Sequence, residues 1–229
     1  MKVISSITSG IALSCILSFA QAEPVMNLVT VNTKDAAGYA AWAQKSAPKL
    51  IKANNAMAMG LCSPSSGAEQ TGDHYLWSFF DSQETAWQNA QMNPTVVREV
   101  AKLKVDREIR SWDNWRIVRA EALSDTGYYY NLYVETDSLS DYLAGLDNLK
   151  AELRARGHDI TMQVFVGDTG TRTGTVMISM GAEDSAVLGK AMDARTEDWY
   201  QQIVSDFNSS REIVHGFAMT CSTYAMAAQ

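Results

Sequence analysis

The segment SQETA at residues 82–86 recurs as AEDSA at residues 182–186, and the similarity extends outward from both copies. Further residues repeat at the same spacing of 100 positions: Met92 with Met192, Leu103 with Ile203, and Asp106 with Asp206. An internal repeat has to be recognised before elements are assigned, because each copy is then one structural unit. We therefore expect residues 26–122 and 128–226 to fold alike.

The hydrophobic pattern of each copy predicts four strands and two helices. In the second copy, strands are predicted over 128–136, 160–166, 175–180 and 215–223, and helices over 137–157 and 186–207. In the first copy, strands are predicted over 26–33, 56–62, 75–80 and 112–119, and helices over 35–54 and 82–109. Each copy is therefore predicted to be a βαββαβ unit, which is the ferredoxin-like fold.

A ferredoxin-like unit covers only one face of its sheet with helices. Two copies can bury their bare faces against each other as a closed or nearly closed barrel, which explains why the second face of these strands is mixed rather than polar. Together with the helix-interrupting step Met92-Asn93-Pro94, the tandem halves resemble the dimeric α/β-barrel superfamily, fused into one chain. The expected fold class is α+β, with a first half over 23–124 and a second half over 125–229.

That resemblance also implies how the two halves meet. In the superfamily, the second strand of one half lies beside the fourth strand of the other half, which would bring Cys62 next to Cys221. We predict a disulfide between them, and the alternative is two separately buried thiols.

The N-terminus has the features of a secretory signal peptide. Lys2 is positively charged, residues 11–20 are apolar but too few to cross a bilayer, and Ala20-Gln21-Ala22 is a small-x-small cleavage site. Cleavage after residue 22 would leave a soluble chain in the periplasm or outside the cell, without a membrane partner.

Charge and architecture limit the partners. The net charge of −7 disfavours nucleic acids and anionic membranes, because both require a basic surface. Since the two halves are fused, barrel closure needs no second chain, so we expect a monomer, with a homodimer as the alternative.

The barrel lumen is the expected binding site, because small molecules bind in concave, mostly apolar cavities. Strand alternation places Met59, Leu61 and the single carboxylate Glu135 in the lumen. The other predicted lumen residues are Tyr75, Trp77, Phe79, Tyr129, Asn131, Tyr133, Gln163, Phe165 and Met177. The alternative is a barrel whose interior is filled by these large side chains.

Three functions are compatible with these features: two of them involve a small molecule in the lumen, and the third does not. The leading hypothesis is an exported protein that binds a small apolar or aromatic molecule in the lumen without established catalysis. The resemblance implies the alternative of a cofactor-free, quinol-type monooxygenase, in which Tyr133, Glu135 or Trp77 would position a phenolic substrate and Glu135 would act as the base. An interaction module with a packed barrel is the third hypothesis.

The superfamily also contains heme-binding and heme-degrading proteins. Their Asn and Trp beside the heme are similar to Asn27 or Asn32 and Trp77, but the predicted helix over 82–109 carries no histidine. The three histidines, His74, His158 and His215, have no second histidine at ligand spacing, so no metal site and no cofactor is expected, and His215 is the one heme-ligand candidate.

Overall fold

The computed structural model describes residues 22–88 and 93–228. The predicted signal peptide, apart from Ala22, and the repeat residue Met92 lie outside these ranges. Within them, no helix is long and apolar enough to cross a membrane.

The two copies have the same order of elements. The first comprises β1 (Val25–Asn32), α1 (Ala36–Asn54), β2 (Ala58–Ser66), β3 (Asp73–Phe80), α2 (Gln83–Gln88), α3 (Pro94–Ala101) and β4 (Glu108–Arg119). The second comprises β5 (Thr126–Thr136), α4 (Leu139–Ala155), β6 (Thr161–Gly167), β7 (Val176–Ala182), α5 (Ser185–Asp193), α6 (Asp198–Asn208) and β8 (Arg211–Met226). The predicted order of strands and helices is confirmed.

The helices that follow the third strand of each half differ from the predicted ranges, and β4 and β8 each begin four residues earlier than predicted. The helix predicted over 82–109 ends at Ala101, because residues from Glu108 onward instead pair with β1, where Asn32 lies opposite Glu108. The helix predicted over 186–207 is divided into α5 and α6 by a turn of 3₁₀ helix at Ala194–Thr196.

Local capping fixes where several helices begin. The Asp35 carboxylate accepts a hydrogen bond from the Gly38 amide at the start of α1, at 2.8 Å. Before α3, the Asn93 side chain accepts one from the Thr95 amide at 2.9 Å, and Pro94 occupies the first turn. Such side-chain acceptors satisfy amide groups that have no partner inside the helix.

All eight strands form one closed antiparallel barrel in the order β1-β3-β2-β8-β5-β7-β6-β4. The second and fourth strands are the edges of each half, and the halves join where β2 meets β8 and where β4 meets β6. The predicted α+β fold with an intramolecular dimeric α/β barrel is therefore confirmed.

The seam between β2 and β8 is covalently closed. Cys62 lies directly opposite Cys221 in the strand register, and the two form a disulfide. The predicted bridge is thus present, and it links residues 159 positions apart in the chain.

The hydrophobic core consists of separate layers. In the second half, one cluster packs between the sheet and its helices and includes Tyr142, Leu146 and Phe207. Corresponding clusters in the first half surround α1. A further cluster, containing Trp77, Trp115 and Phe165, occupies the interior of the barrel, where both halves contribute side chains.

Candidate functional site

Most of the predicted lumen residues line one cavity in the barrel. They are Tyr75, Trp77, Phe79, Tyr129, Asn131, Tyr133, Gln163, Phe165 and Met177. They come from β3, β5, β6 and β7, and strand alternation directs every second side chain inward. Whether they bind a ligand remains a prediction.

Met59, Leu61 and Glu135 do not lie in this cavity. Met59 and Leu61 face the helices, because β3 already fills this part of the lumen with large rings and β2 supplies small residues there. A Cβ atom on Gly60 would lie 2.3 Å from the Trp77 ring. Glu135 is exposed near the end of β5, beyond the covered part of the barrel and opposite Glu212.

The central cavity is narrow. It leaves about 60 Å³ for water-sized molecules. Aromatic contacts occupy much of the interior: the rings of Trp77 and Phe79 are 5.0 Å apart, and Trp115 stacks on Tyr133 at 5.7 Å. We call this constriction the throat; large side chains fill most of the space around it.

One wall of the throat is polar. Asn131 on β5 and Gln163 on β6 both pair with Ser179 on β7, so the three residues form a row across neighbouring strands. All three are buried, and Asn131 is completely inaccessible to solvent. Among the residues that the structure describes, neither the nitrogen nor the oxygen of the Asn131 amide has a hydrogen-bond partner.

The throat continues into a wider apolar cavity of about 400 Å³ at one end of the barrel. Phe79, Leu123 and Gln163 line both spaces, and Met57 and Met226 lie at the wider one, which we call the apolar mouth. An apolar molecule could therefore approach the polar row from this end.

The opposite end is polar and holds a cavity of about 190 Å³. Tyr75 and Tyr133 line both this cavity and the throat. Arg172 forms an ion pair with Glu69, and its guanidinium group lies 4.5 Å from the centre of the Tyr133 ring. Arg110 lies 3.6 Å from Glu69, so charged side chains close this polar end.

Sequence reasoning missed the carboxylate in the polar end. Asp113 on β4 is only 4% exposed and belongs to none of the ion pairs found in the described ranges. Burial raises the pKa of Asp113, and the hydrogen bond with Ser111 only partly opposes that increase. Burial also raises the pKa of Tyr75 to about 12. Alternation of Asp113, Trp115 and Ile117 along β4 is the signal that could have identified it.

The asparagines considered for heme do not share a site with Trp77. The Asn27 side chain donates to that of Asn114 at 2.8 Å, and the Asn32 side chain donates to Asp73 at 2.9 Å. Neither asparagine lines the throat, whereas Trp77 does.

The histidines also do not fit a heme site. His215 Nε2 lies 2.7 Å from the carbonyl oxygen of Gly67, and His74 Nδ1 lies 2.9 Å from Ser63 Oγ. Each of these nitrogens is thus engaged within the protein. Over 22–88 and 93–228, no group of His, Cys, Asp and Glu side chains is arranged to hold a metal ion. The set of residues expected around heme is therefore not assembled.

Comparison with known proteins gives similarity in structure but not in sequence. No protein-family model matches the chain, and no curated protein does. A candidate monooxygenase from Fusobacterium nucleatum superposes with a TM-score of 0.57 at 10% identity, covering 91% of this chain and 95% of that one. A candidate monooxygenase from Lactobacillus acidophilus gives 0.56 at 11% identity, with 90% and 97% covered.

A heme-binding protein from Thermus thermophilus has a TM-score of 0.50 at 8% identity, with 88% of this chain and 91% of that chain covered. These TM-scores demonstrate a shared fold, and identities this low leave the activity open. The chain has the fold of the dimeric α/β-barrel proteins, with both halves of the barrel in one polypeptide.

Proposed function

We propose that the protein binds a small apolar or aromatic molecule in the barrel lumen and does so without catalysing a reaction. The observation that carries this proposal is the Asn131 amide, which is buried in the throat with no partner for its donor or its acceptor among the described residues. We further propose that the chain is exported and acts as a monomer. The disulfide supports export, because such bonds persist in oxidising compartments.

An unpaired amide in an apolar interior is costly. Burying such a group without a hydrogen bond costs about 1–3 kcal/mol in proteins, so nearly all buried polar groups have partners. The throat has room for a few water molecules, since one water needs about 10–15 Å³ of such space. The Asn131 amide itself is inaccessible to solvent, so a ligand hydroxyl or carbonyl oxygen can bond to it only when neighbouring throat side chains shift.

The size of the spaces defines how the ligand would lie. The throat, at about 60 Å³, is too small for a ring, whereas the apolar mouth offers about 400 Å³. By comparison, an engineered apolar cavity of about 150 Å³ accommodates benzene. We infer that the apolar body lies in the mouth, against Phe79 and Leu123, while its oxygen points into the throat.

Replacing Asn131 by leucine tests this proposal. We expect the free energy of unfolding to rise by about 1 kcal/mol, because an unsatisfied amide is replaced by an apolar group of similar shape. The unaltered protein should bind 2-naphthol about fivefold more tightly than naphthalene, because one hydrogen bond is worth about 1 kcal/mol. In the variant, the two affinities should become equal.

Urea unfolding and ligand fluorescence titration give the two measurements. Asn148→Leu, the same change at an exposed position on α4, is the control and should alter neither affinity. A large loss of stability in Asn131→Leu would instead assign the amide a structural role, and equal binding of both probes by the unaltered protein would refute the proposed ligand orientation.

A second candidate function is that of a cofactor-free monooxygenase, and the position of Asp113 favours it. A buried carboxylate with a raised pKa is a suitable general base. Burial raises the pKa of Tyr133, and the charge of Asp113 adds to that increase, so the two groups lie within electrostatic range in the polar end. Asp113 takes the role that the sequence suggested for Glu135, by removing a proton from a phenolic substrate.

Oxygen uptake with a panel of quinols tests this second candidate. Any uptake should fall about a hundredfold in Asp113→Asn, which is the typical contribution of a general base. Glu135→Gln is the matched control and should retain the full rate, because Glu135 lies outside the lumen. If no quinol stimulates uptake, or if both variants lose it equally, the oxygenase hypothesis is wrong.

A further inference from the structure

A second cavity lies outside the barrel, between the sheet of the second half and its helices. Its volume is about 210 Å³. The floor is apolar and comes from α4 and from the outer faces of β6 and β7, with Leu146, Leu149, Met162, Ile178 and Met180. This cavity is separate from the lumen, because Tyr130 and Leu132 point into it from β5 while Asn131, between them, points into the throat.

The rim of this cavity is polar and carries two arginines and three tyrosines: Arg195, Arg211, Tyr130, Tyr142 and Tyr200. The Arg195 guanidinium lies 5.4 Å from the centre of the Tyr130 ring. Arg211 Nη1 donates to the Tyr142 hydroxyl at 3.2 Å. Burial raises the pKa of Tyr200, and the positive charges of both arginines oppose that increase, so both act on one hydroxyl.

Within the described ranges, Arg98 and Arg107 also lack an ion-pair partner, but Arg195 and Arg211 are the unpaired arginines that line this cavity. Arg110, Arg116 and Arg119 each pair with a carboxylate, whereas neither Arg195 nor Arg211 forms an ion pair within the ranges 22–88 and 93–228. No aspartate or glutamate lines the cavity. In a chain of net charge −7, two unpaired guanidinium groups at one apolar cavity indicate a site for an anion.

The hydrogen bonds of the two arginines leave donors for such an anion. Arg195 donates from Nε to the Met192 carbonyl oxygen at 3.0 Å, and Arg211 donates from Nε to Asn208 Oδ1 at 3.4 Å. The terminal nitrogens of Arg195 take part in no hydrogen bond that the structure shows. Guanidinium groups recognise carboxylates through paired hydrogen bonds, and the tyrosine hydroxyls add further donors.

We propose that this cavity binds a small monocarboxylate with an apolar body of about six to eight carbons. The carboxylate lies at the rim between Arg195 and Arg211, and the apolar body extends over Leu146 and Ile178. The body length follows from the cavity volume, which somewhat exceeds the roughly 150 Å³ that accommodates benzene. A single carboxylate suffices, because the rim holds two cations and the floor holds no polar side chain.

Titration calorimetry with octanoate as the probe tests the proposal on the full chain. Octanoate should bind at least about tenfold more tightly than octan-1-ol, because a hydrogen bond to a charged group is worth about 1.5–3 kcal/mol. Octylamine, which carries the opposite charge, should bind no more tightly than the alcohol. If octanoate does not bind, or binds no better than the alcohol, the proposal is wrong.

Variants locate the binding. Arg195→Met and Arg211→Met should each weaken octanoate binding about tenfold and leave octan-1-ol unchanged. Arg195 is exposed, so Arg195→Met is expected to fold normally. It keeps the proposal testable if Arg211→Met, which loses the hydrogen bond to Tyr142, folds poorly. The control is Arg98→Met, which removes the same charge from an exposed arginine on α3.

If Arg98→Met and Arg195→Met weaken octanoate binding equally, the effect is due to the overall charge of the protein, and the proposed site is wrong. Asn131→Leu should leave octanoate binding intact, because its side chain faces the lumen. Loss of octanoate binding in that variant would place the carboxylate in the lumen instead, so this cavity and the lumen are tested separately.

Discussion

Replacing both Cys62 and Cys221 by alanine should lower the free energy of unfolding by about 3–5 kcal/mol. The bridge joins positions 159 residues apart. A crosslink that closes so long a loop reduces the entropy of the unfolded chain by an amount worth roughly 5 kcal/mol in the chain-entropy model. Because the bridge spans the β2–β8 seam, its loss also removes the covalent bond that holds the two halves together at that edge.

Urea unfolding of the double variant and of the unaltered protein measures this loss. The unaltered protein in excess dithiothreitol should match the variant, since both lack the crosslink. Cys62 and Cys221 also line the throat. A variant that is less stable than the reduced protein would therefore measure the additional cost of removing the two cysteine side chains. An unfolding midpoint that is the same with and without reductant would contradict the expected contribution.

The repeat made the strand order and the bridge predictable. Once two βαββαβ units are recognised, the known pairing of second and fourth strands places Cys62 beside Cys221 without knowledge of any side-chain contact. In the second half, alternation also identified the lumen face correctly, because Tyr129, Asn131 and Tyr133 occupy successive inward positions of one regular stretch.

Alternation gave the wrong inward face for β2, because the alternation of side chains along a strand does not by itself show which face points into the barrel. A shift of one residue exchanges the two faces of a strand. Met59 and Leu61 are the larger residues and would be chosen for a lumen, but the neighbouring Trp77 needs the space above Gly60. The choice of face therefore depends on the volume of a residue on another strand.

The chemistry at the cavity ends could not be predicted from local sequence. Alternation with Trp115 and Ile117 places Asp113 on the inward face of β4, but its burial also depends on the loop that follows β6. A Cβ atom on Gly170 in that loop would overlap the Asp113 carboxylate, which shows how closely the loop covers it. The presence of Arg195 and Arg211 at one cavity similarly depends on how the 3₁₀ turn at Ala194–Thr196 lies relative to β8.

Replacing Trp115 tests whether the barrel interior is a packed core or can accommodate an added molecule. Its side chain is completely buried, stacks on Tyr133, and belongs to the interior cluster without lining the throat. Trp115→Ala should lower the free energy of unfolding by about 3–5 kcal/mol, the usual cost of deleting a buried aromatic side chain. Trp112→Ala on the same strand should cost about 1 kcal/mol or less, because Trp112 is 48% exposed.

Indole added to the Trp115→Ala variant extends the test, because it matches the removed side chain. A ligand that binds only the folded state stabilises it by RT ln(1 + [L]/Kd), so the unfolding midpoint of the variant should rise with indole concentration. The unaltered protein should respond much less, since Trp115 fills the space. If the variant is stabilised, an aromatic molecule can enter the barrel interior beyond the apolar mouth. If the variant loses the expected stability and indole restores none of it, the interior collapses or stays closed, and binding has to be confined to the apolar mouth.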